Sequence, residues 1–261
     1  MKTDYKNWVP KGMVLGFGGG FIAAAAIGAV LGFVLPAGVL KTIVLSVLGV
    51  IAAILLVAAL WLLHMYNVFS YDGKRKLSKI IVEGVASYVT IPDGGKGLDV
   101  GCGSGALTIA CAKRNPSAQI VGIDRWGKEY ASYNKPLCEN NTKAEGVSNV
   151  RFEQGDTLKL NFPDETFDAV TSNYVYHNIV GANKQDCLRE TLRVLKKGGT
   201  FALHDMMTPS RYGDMQAFVL ELKAAGYKKV ELIPTDNGLF IGKNEAKFID
   251  LAGSALLTGI K

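Results

Sequence analysis

The sequence predicts an α/β fold, a mostly parallel sheet covered by helices on both faces, preceded by two transmembrane helices. Three observations carry that reading. Residues 13–35 and 42–63 contain no charged side chain. From residue 71 onward, strand-like and helix-like patterns alternate, as they do where parallel strands are joined by crossover helices. Between the first such strand and the helix after it lies "LDVGCGSG", Leu98 to Gly105, where three glycines fall at every second position.

The two apolar stretches come first. A helix rising about 1.5 Å per residue crosses a ~30 Å hydrocarbon layer with about 20 residues, and each stretch is long enough. A cleaved signal has a shorter apolar run followed by a small-residue cleavage site; here only residues 36–41 intervene before a second run. Lys2, Lys6 and Lys11 precede the first span, and Lys74, Arg75, Lys76 and Lys79 follow the second, against Lys41 alone in the turn. The positive-inside rule then places both termini, and the domain after the second span, in the cytoplasm. Gly16 with Gly20, and Gly28 with Gly32, have the spacing that lets helices approach closely. That spacing suits packing of span one on span two, and also self-association into a homo-oligomer. With no charge inside either span, a transport pathway is not expected. Residues 1–66 thus read as an anchor and 67–261 as a soluble domain.

In that domain, residues 71–89 read as a helix with Leu77, Ile80, Ile81 and Val85 inward, stopped by Pro92, Gly94 and Gly95. Strands are expected at 97–100, 119–124, 150–154, 167–172, 200–206, 228–233 and 254–260. Helices are expected at 105–115, 128–145, 185–195 and 212–225. Such sheets bind ligands beyond the carboxyl ends of their strands, which directs attention to the glycine loop.

Composition narrows the function. The net charge of +6 is concentrated beside the spans, where it suits anionic lipid; no nucleic acid partner is expected. Cys102, Cys111, Cys138 and Cys187 lack metal-ligand spacing, and His64, His177 and His204 are scattered, so no metal is expected and the thiols read as reduced. The loop from Gly101 to Ala106 fits G-x-G-x-x-A, the dinucleotide fingerprint, with Asp124 about twenty residues on to hold ribose hydroxyls. On that ground alone a nicotinamide enzyme stands open. Asp99, immediately before the loop, favours a cationic ligand instead.

"GLDVGCGSG", "IVGID", "FEQGDTLKLNFPDETFDAVTSN" and "RVLKKGGTFALHD" follow one another at suitable intervals. Together they resemble the class I S-adenosylmethionine-dependent methyltransferases, over about residues 77–261. The resemblance implies a Rossmann-like seven-stranded sheet whose last strand is antiparallel, and S-adenosylmethionine as cofactor. By matched position, Gly101, Gly103 and Gly105 would lie under the methionyl and ribose portion, with Asp99 near the ammonium. Asp124 would hold the ribose diol and Arg125 or Trp126 would flank the adenine. Asp156 would approach the adenine amino group, with Thr157 beside it, and Asn173 the methionine end.

Acceptor-side candidates follow the fourth strand in "NYVYHNI" and end the fifth in "LHDMM": Tyr174, Tyr176, His177, His204 and Asp205. Tyr174, His177 and His204 are the catalytic candidates, His177 as a general base. An insertion before the last strand, residues 237–254, mixes Leu239, Phe240, Ile241, Phe248, Ile249 and Leu251 with Lys243 and Lys247. It reads as a lid and as a segment suited to lipid headgroups. The anchor and the insertion point to methylation of a lipidic or hydrophobic small molecule at the cytoplasmic membrane face. A soluble thiol or amine acceptor, with the anchor only an address, and a nicotinamide-dependent membrane oxidoreductase are the rival readings.

Overall fold

The computed structural model describes residues 2–127 and 132–261. The chain forms two compact units, one of Asn7–Ser78 and one of Lys79–Lys261 together with the chain start through Lys6. The chain passes from the first unit to the second at Ser78–Lys79.

The first unit is a pair of helices, α1 (Lys11–Val34) and α2 (Val39–Phe69). α1 starts two residues before the expected span and ends one residue short of it, while α2 extends beyond its span at both ends, because a helix continues wherever its backbone bonds can, whether or not its side chains remain apolar. At about 1.5 Å per residue, α2 is about 46 Å long. Few of the pair's apolar side chains are buried, and many are exposed, among them Ile22, Phe33, Val47, Ile54 and Val57. Of the four spaced glycines, Gly20 and Gly32 face α2: a Cβ there would lie 3.5 Å from Leu55 and 4.0 Å from Leu45. Gly16 and Gly28 have nothing within 4 Å.

The second unit begins in helix α3 (Leu77–Ala86) and holds seven strands. These are β1 (Lys96–Val100), β2 (Gln119–Asp124), β3 (Val150–Gln154), β4 (Phe167–Asn173), β5 (Leu195–Met206), β6 (Lys228–Pro234) and β7 (Ser254–Ile260). They form one sheet in the order β3-β2-β1-β4-β5-β7-β6. β7 runs antiparallel to β5 and β6, and the other pairs are parallel. Helices α4 (Ala106–Arg114), α5 (Lys135–Ala144), α6 (Lys184–Arg193), α7 (Pro209–Tyr212), α8 (Met215–Ala224) and α9 (Lys243–Phe248) complete it.

Local departures from expectation have local causes. Part of the helix expected at 128–145 falls on residues 128–131, outside the described residues; α5 begins at Lys135, capped by the Asn134 side chain, which accepts from Leu137 N–H. The helix expected at 212–225 is two, broken at Gly213, whose φ is +71°. β5 starts five residues before the expected Thr200 and pairs through Leu195, with an irregularity before the Ala169–Thr200 pair. The main core lies beneath β1, β4 and β5, where Leu98, Val100, Val170, Phe201 and Leu203 meet Leu188 and Leu192 of α6 and Phe218 of α8. Burying each such side chain contributes about 1.5–3 kcal/mol.

Candidate active site

The sheet order reverses beside β1: the chain steps to β2 and β3 on one side and to β4 and β5 on the other. The crevice above β1 and β4 is where such folds bind ligands, and the site residues gather on that edge. The turn after β1 is pinned to β2, because the N–H groups of Gly101 and Cys102 both donate to Ile123 O, at 2.8 and 2.9 Å. Gly101 has φ +75°, and a Cβ there would sit 2.4 Å from Val175, so only glycine lets the loop after β4 close over it. Gly103 has φ +54°, yet among the described residues a Cβ there would meet only Tyr133, at 4.0 Å. Open space above a left-handed glycine is a cradle into which a ligand can come close to the backbone.

Asp124, the last residue of β2, braces that cradle. Its Oδ2 accepts from Gly103 N–H at 2.9 Å and its Oδ1 from Trp126 N–H at 2.7 Å. Each oxygen keeps a lone pair, so a vicinal diol can still be bound across both. The Trp126 indole N–H donates to Gly103 O at 3.1 Å, and its ring packs with Cys102, Cys138 and Phe152. Trp126 is therefore the aromatic side chain on the loop, while the Arg125 side chain is exposed. Gly155 N–H donates to Asp124 O, which ties the tip of β3 to that of β2. Asp156 follows at this tip, exposed, its carboxylate accepting from Leu158 N–H at 2.9 Å; Thr157 is half-buried beside it.

Asp99 lies under the loop with 1% of its surface exposed. Thr108, in the first turns of α4, donates to its Oδ2 at 2.7 Å, and Thr171 of β4 donates to its Oδ1 at 3.1 Å. Burial pushes its pKa up to about 6; the two threonines oppose that shift and the charge of Asp124 adds to it. A buried carboxylate that ionises reluctantly gains most from a cationic neighbour. The open cradle, the diol-ready Asp124 and this carboxylate all fit S-adenosylmethionine. The two threonines carry no motif a sequence reader would notice, since both act through tertiary contact.

The residues expected on the acceptor side lie on or after β4, at the end of β5 and in the segment expected as a lid before β7. His177 lies on a 3-10 turn, Tyr176–Asn178, just after β4. Its Nδ1 is 2.6 Å from Asp205 Oδ1, and its backbone N–H donates to Asp205 Oδ2 at 3.1 Å. Asp205, at the end of β5, is fully buried. Burial works to raise its pKa, but the bonds from His177 and Met206 N–H prevail and hold it below the ordinary carboxylate range. An ionised Asp205 keeps the proton on His177 Nδ1 and leaves Nε2 as the basic nitrogen. The Tyr212 hydroxyl is buried beside this carboxylate; burial, then the Asp205 charge, push its pKa far up.

His204 has a different environment. It is fully buried, with Nδ1 at 2.7 Å from Asn173 Oδ1 and Nε2 at 2.8 Å from Thr235 Oγ1. Burial lowers its pKa to about 4, so the ring is neutral and both nitrogens are engaged in holding Asn173 and Thr235. Tyr174, with φ +55°, packs edge-on against His204 at 4.7 Å and shares a hydrogen bond with Ser254, 2.7 Å between hydroxyls. Burial raises its phenol pKa. Tyr176 is fully buried, its hydroxyl 2.7 Å from Thr191 Oγ1, a core residue. In the lid, Phe240, Ile241, Ala246, Ile249 and Leu251 are buried, while Leu239 and Phe248 are exposed. Phe240 lies edge-on 5.6 Å from His204 and against Gly84 of α3, where any Cβ would be 2.4 Å from its ring. Among the described residues no cluster of His, Cys, Asp and Glu could hold a metal ion.

Comparison with known proteins agrees with the cofactor side. A family model described as a methyltransferase domain matches residues 91–230. A demethylmenaquinone methyltransferase of Bacillus velezensis is 30% identical over 210 residues, covering 76% of this chain and 84% of that one. One from Bacillus subtilis is 31% identical over 161 residues, covering 61% and 64%. Among solved structures, a geranyl diphosphate methyltransferase in complex with GPP and sinefungin aligns with TM-score 0.51 at 15% identity, over 75% of this chain and 81% of that one. The [4+2]-cyclase SpnF aligns with TM-score 0.54 at 20% identity, over 70% and 81%. These two likenesses concern the fold alone, since one scaffold serves several chemistries. The family model, by contrast, spans the strands that carry Asp99, the glycine loop and Asp124, and the nicotinamide reading gives way to it. The chain belongs to the methyltransferase domain family, and it is an S-adenosylmethionine-dependent methyltransferase.

Proposed function

We propose that this methyltransferase is anchored in a membrane by α1 and α2 and methylates a lipidic or hydrophobic small molecule at the cytoplasmic face. The observation that carries the proposal is the first unit itself: two paired apolar helices, 24 and 31 residues long, that leave many of their large apolar side chains exposed and bury few. In water such a surface is costly; in hydrocarbon it is at home. The named relatives act on demethylmenaquinone, according to their names; a lipid-soluble acceptor here is consistent with them. The basic residues flanking the helices support cytoplasmic termini. Leu239 and Phe248, exposed on the lid beside Lys243 and Lys247, suit the headgroup layer.

The geometry supports a set of roles. The Gly101–Gly105 turn and Asp124 bind the cofactor, Asp99 favours its positive end, and Asp156, Thr157 and Asn173 border it. S-adenosylmethionine, when bound, supplies a methyl group on a sulfonium, ready for in-line displacement. His177, held by Asp205, takes the acceptor's O–H or N–H proton onto Nε2 as the acceptor forms its bond to carbon. Tyr174 shapes the acceptor space between His177 and His204. His204 acts through Asn173 and Phe240, not as a base.

The test uses purified full-length protein, methyl-labelled S-adenosylmethionine and a native membrane extract, partitioned between organic solvent and water, with Asp124→Ala as blank. Label entering the organic phase only with the intact protein is expected. Label confined to water would overturn the lipidic acceptor and turn attention to soluble thiols or amines.

A further inference from the structure

The glycine loop is held from a second direction, by α5 and by the extreme start of the chain. Asn141, on α5, is 2% exposed, and every polar atom of its side chain is engaged. Its Nδ2 donates to Ser104 O, between the second and third glycines, at 3.0 Å. The same nitrogen donates to Asp4 O at 3.0 Å, and its Oδ1 accepts from Asp4 N–H at 2.7 Å. One residue on, the buried Tyr5 donates its hydroxyl to Glu145 at 3.0 Å, one helical turn beyond Asn141. Glu145 also pairs with Lys113 of α4. Asp4 fixes the local bend, its carboxylate accepting from Lys6 N–H at 3.1 Å. Cys138, one turn earlier on α5, donates to Gly103 O at 3.2 Å.

The two carbonyls at the centre of the cofactor cradle, those of Gly103 and Ser104, are thus held by one face of α5. Asn141 is shared between that cradle and the N-terminal segment. An asparagine amide is the only side chain of this length that donates twice and accepts once. Losing one partner would leave a buried amide unsatisfied and free it to shift.

We propose that Asn141 is a positioning residue for the cofactor loop, and that the segment ahead of the first apolar helix, through Asp4 and Tyr5, is the latch that holds it. S-adenosylmethionine affinity then depends on residues about a hundred positions before the loop, within the chain that leads to Lys11.

The test is S-adenosylmethionine binding by equilibrium dialysis on the full chain in detergent, with hydrogen exchange of residues 101–107. Asp4→Pro removes the N–H that Asn141 accepts, whereas Asp4→Asn keeps both the backbone pair and the bend. Expected are a Kd raised about fivefold to tenfold and faster exchange at 101–107 in Asp4→Pro and Asn141→Ala, the scale of one hydrogen bond lost. Asp4→Asn should bind like the parent. Parent-like affinity in Asp4→Pro, an equal loss in Asp4→Asn, or a lowered melting temperature with unchanged Kd and exchange would each overturn the proposal. Should Asn141→Ala fail to fold, Asp4→Pro against Asp4→Asn decides alone.

Discussion

The two halves of the site are built differently. On the β1–β2 side, Asp99, three glycines and Asp124 lie within 26 consecutive residues, and their geometry follows from strand ends and one turn. On the β4–β5 side, His177 and Asp205 are 28 residues apart and meet only because the strands are neighbours in the sheet. The lid then adds Phe240 against His204. Under the proposed function the first half serves the cofactor and the second the acceptor. The motif residues of the first half are close in sequence, whereas the second half is assembled by strand pairing.

If the halves are separable, substitutions should sort between them. The largest expected effect is that of Asp124→Ala. It removes both oxygens that brace Gly103 and Trp126 and the diol contact, and charged hydrogen bonds contribute about 1.5–3 kcal/mol each. S-adenosylmethionine affinity should fall about a hundredfold or more by calorimetry, with little change in acceptor binding.

Asp99→Asn should act in two opposing ways. With a folded pKa of about 6 against an ordinary 3.8, the native state binds more protons than the unfolded state between those values. Stability from this group therefore decreases as pH rises through that window, and at pH 7 the charge costs the apoprotein about 1–3 kcal/mol. The variant should melt higher at neutral pH yet bind S-adenosylmethionine about tenfold more weakly. In the parent, affinity should decline as pH falls below about 6. His204 has the opposite sign: with its pKa lowered from 6.5 to about 4, its stability contribution is present above pH 6.5 and is lost as pH falls through 4. Comparing melting curves of the parent and Asp99→Asn across pH 4–7 isolates the carboxylate.

The smallest effect belongs to the lid surface. Leu239→Glu with Phe248→Glu should leave cofactor affinity unchanged and reduce turnover of a vesicle-borne acceptor a few fold. An unchanged rate would remove the lid from lipid contact.

Legibility from sequence follows the same division. Strands β2, β3 and β7 were readable to the residue, because β2 and β7 are largely apolar runs and β3 alternates apolar with polar residues, each beside turn residues. The short helix Lys243–Phe248 and the 3-10 turn at Tyr176–Asn178 are too brief to show a period. Gly213 was hidden inside an otherwise helical pattern. At the site, Asp99, Gly103 and Asp124 announce themselves by position in a motif. Thr108 and Asn141 do not, since a buried hydroxyl or amide shows its partner only once the chain has folded. His177 and His204 look equivalent in sequence; their difference arises from burial and from which neighbours take their ring nitrogens.

The central claim is that His177, oriented by Asp205, serves the acceptor while the glycine loop serves the cofactor. Its most direct test is a paired measurement on His177→Ala: the dissociation constant for S-adenosylmethionine and the single-turnover rate of methyl transfer to the organic-phase acceptor. Loss of a general base lowers a rate about 10²–10⁴-fold, so transfer should fall by at least a hundredfold while cofactor affinity stays within twofold. Parent-like transfer, or a loss of affinity matching the loss of rate, would contradict it.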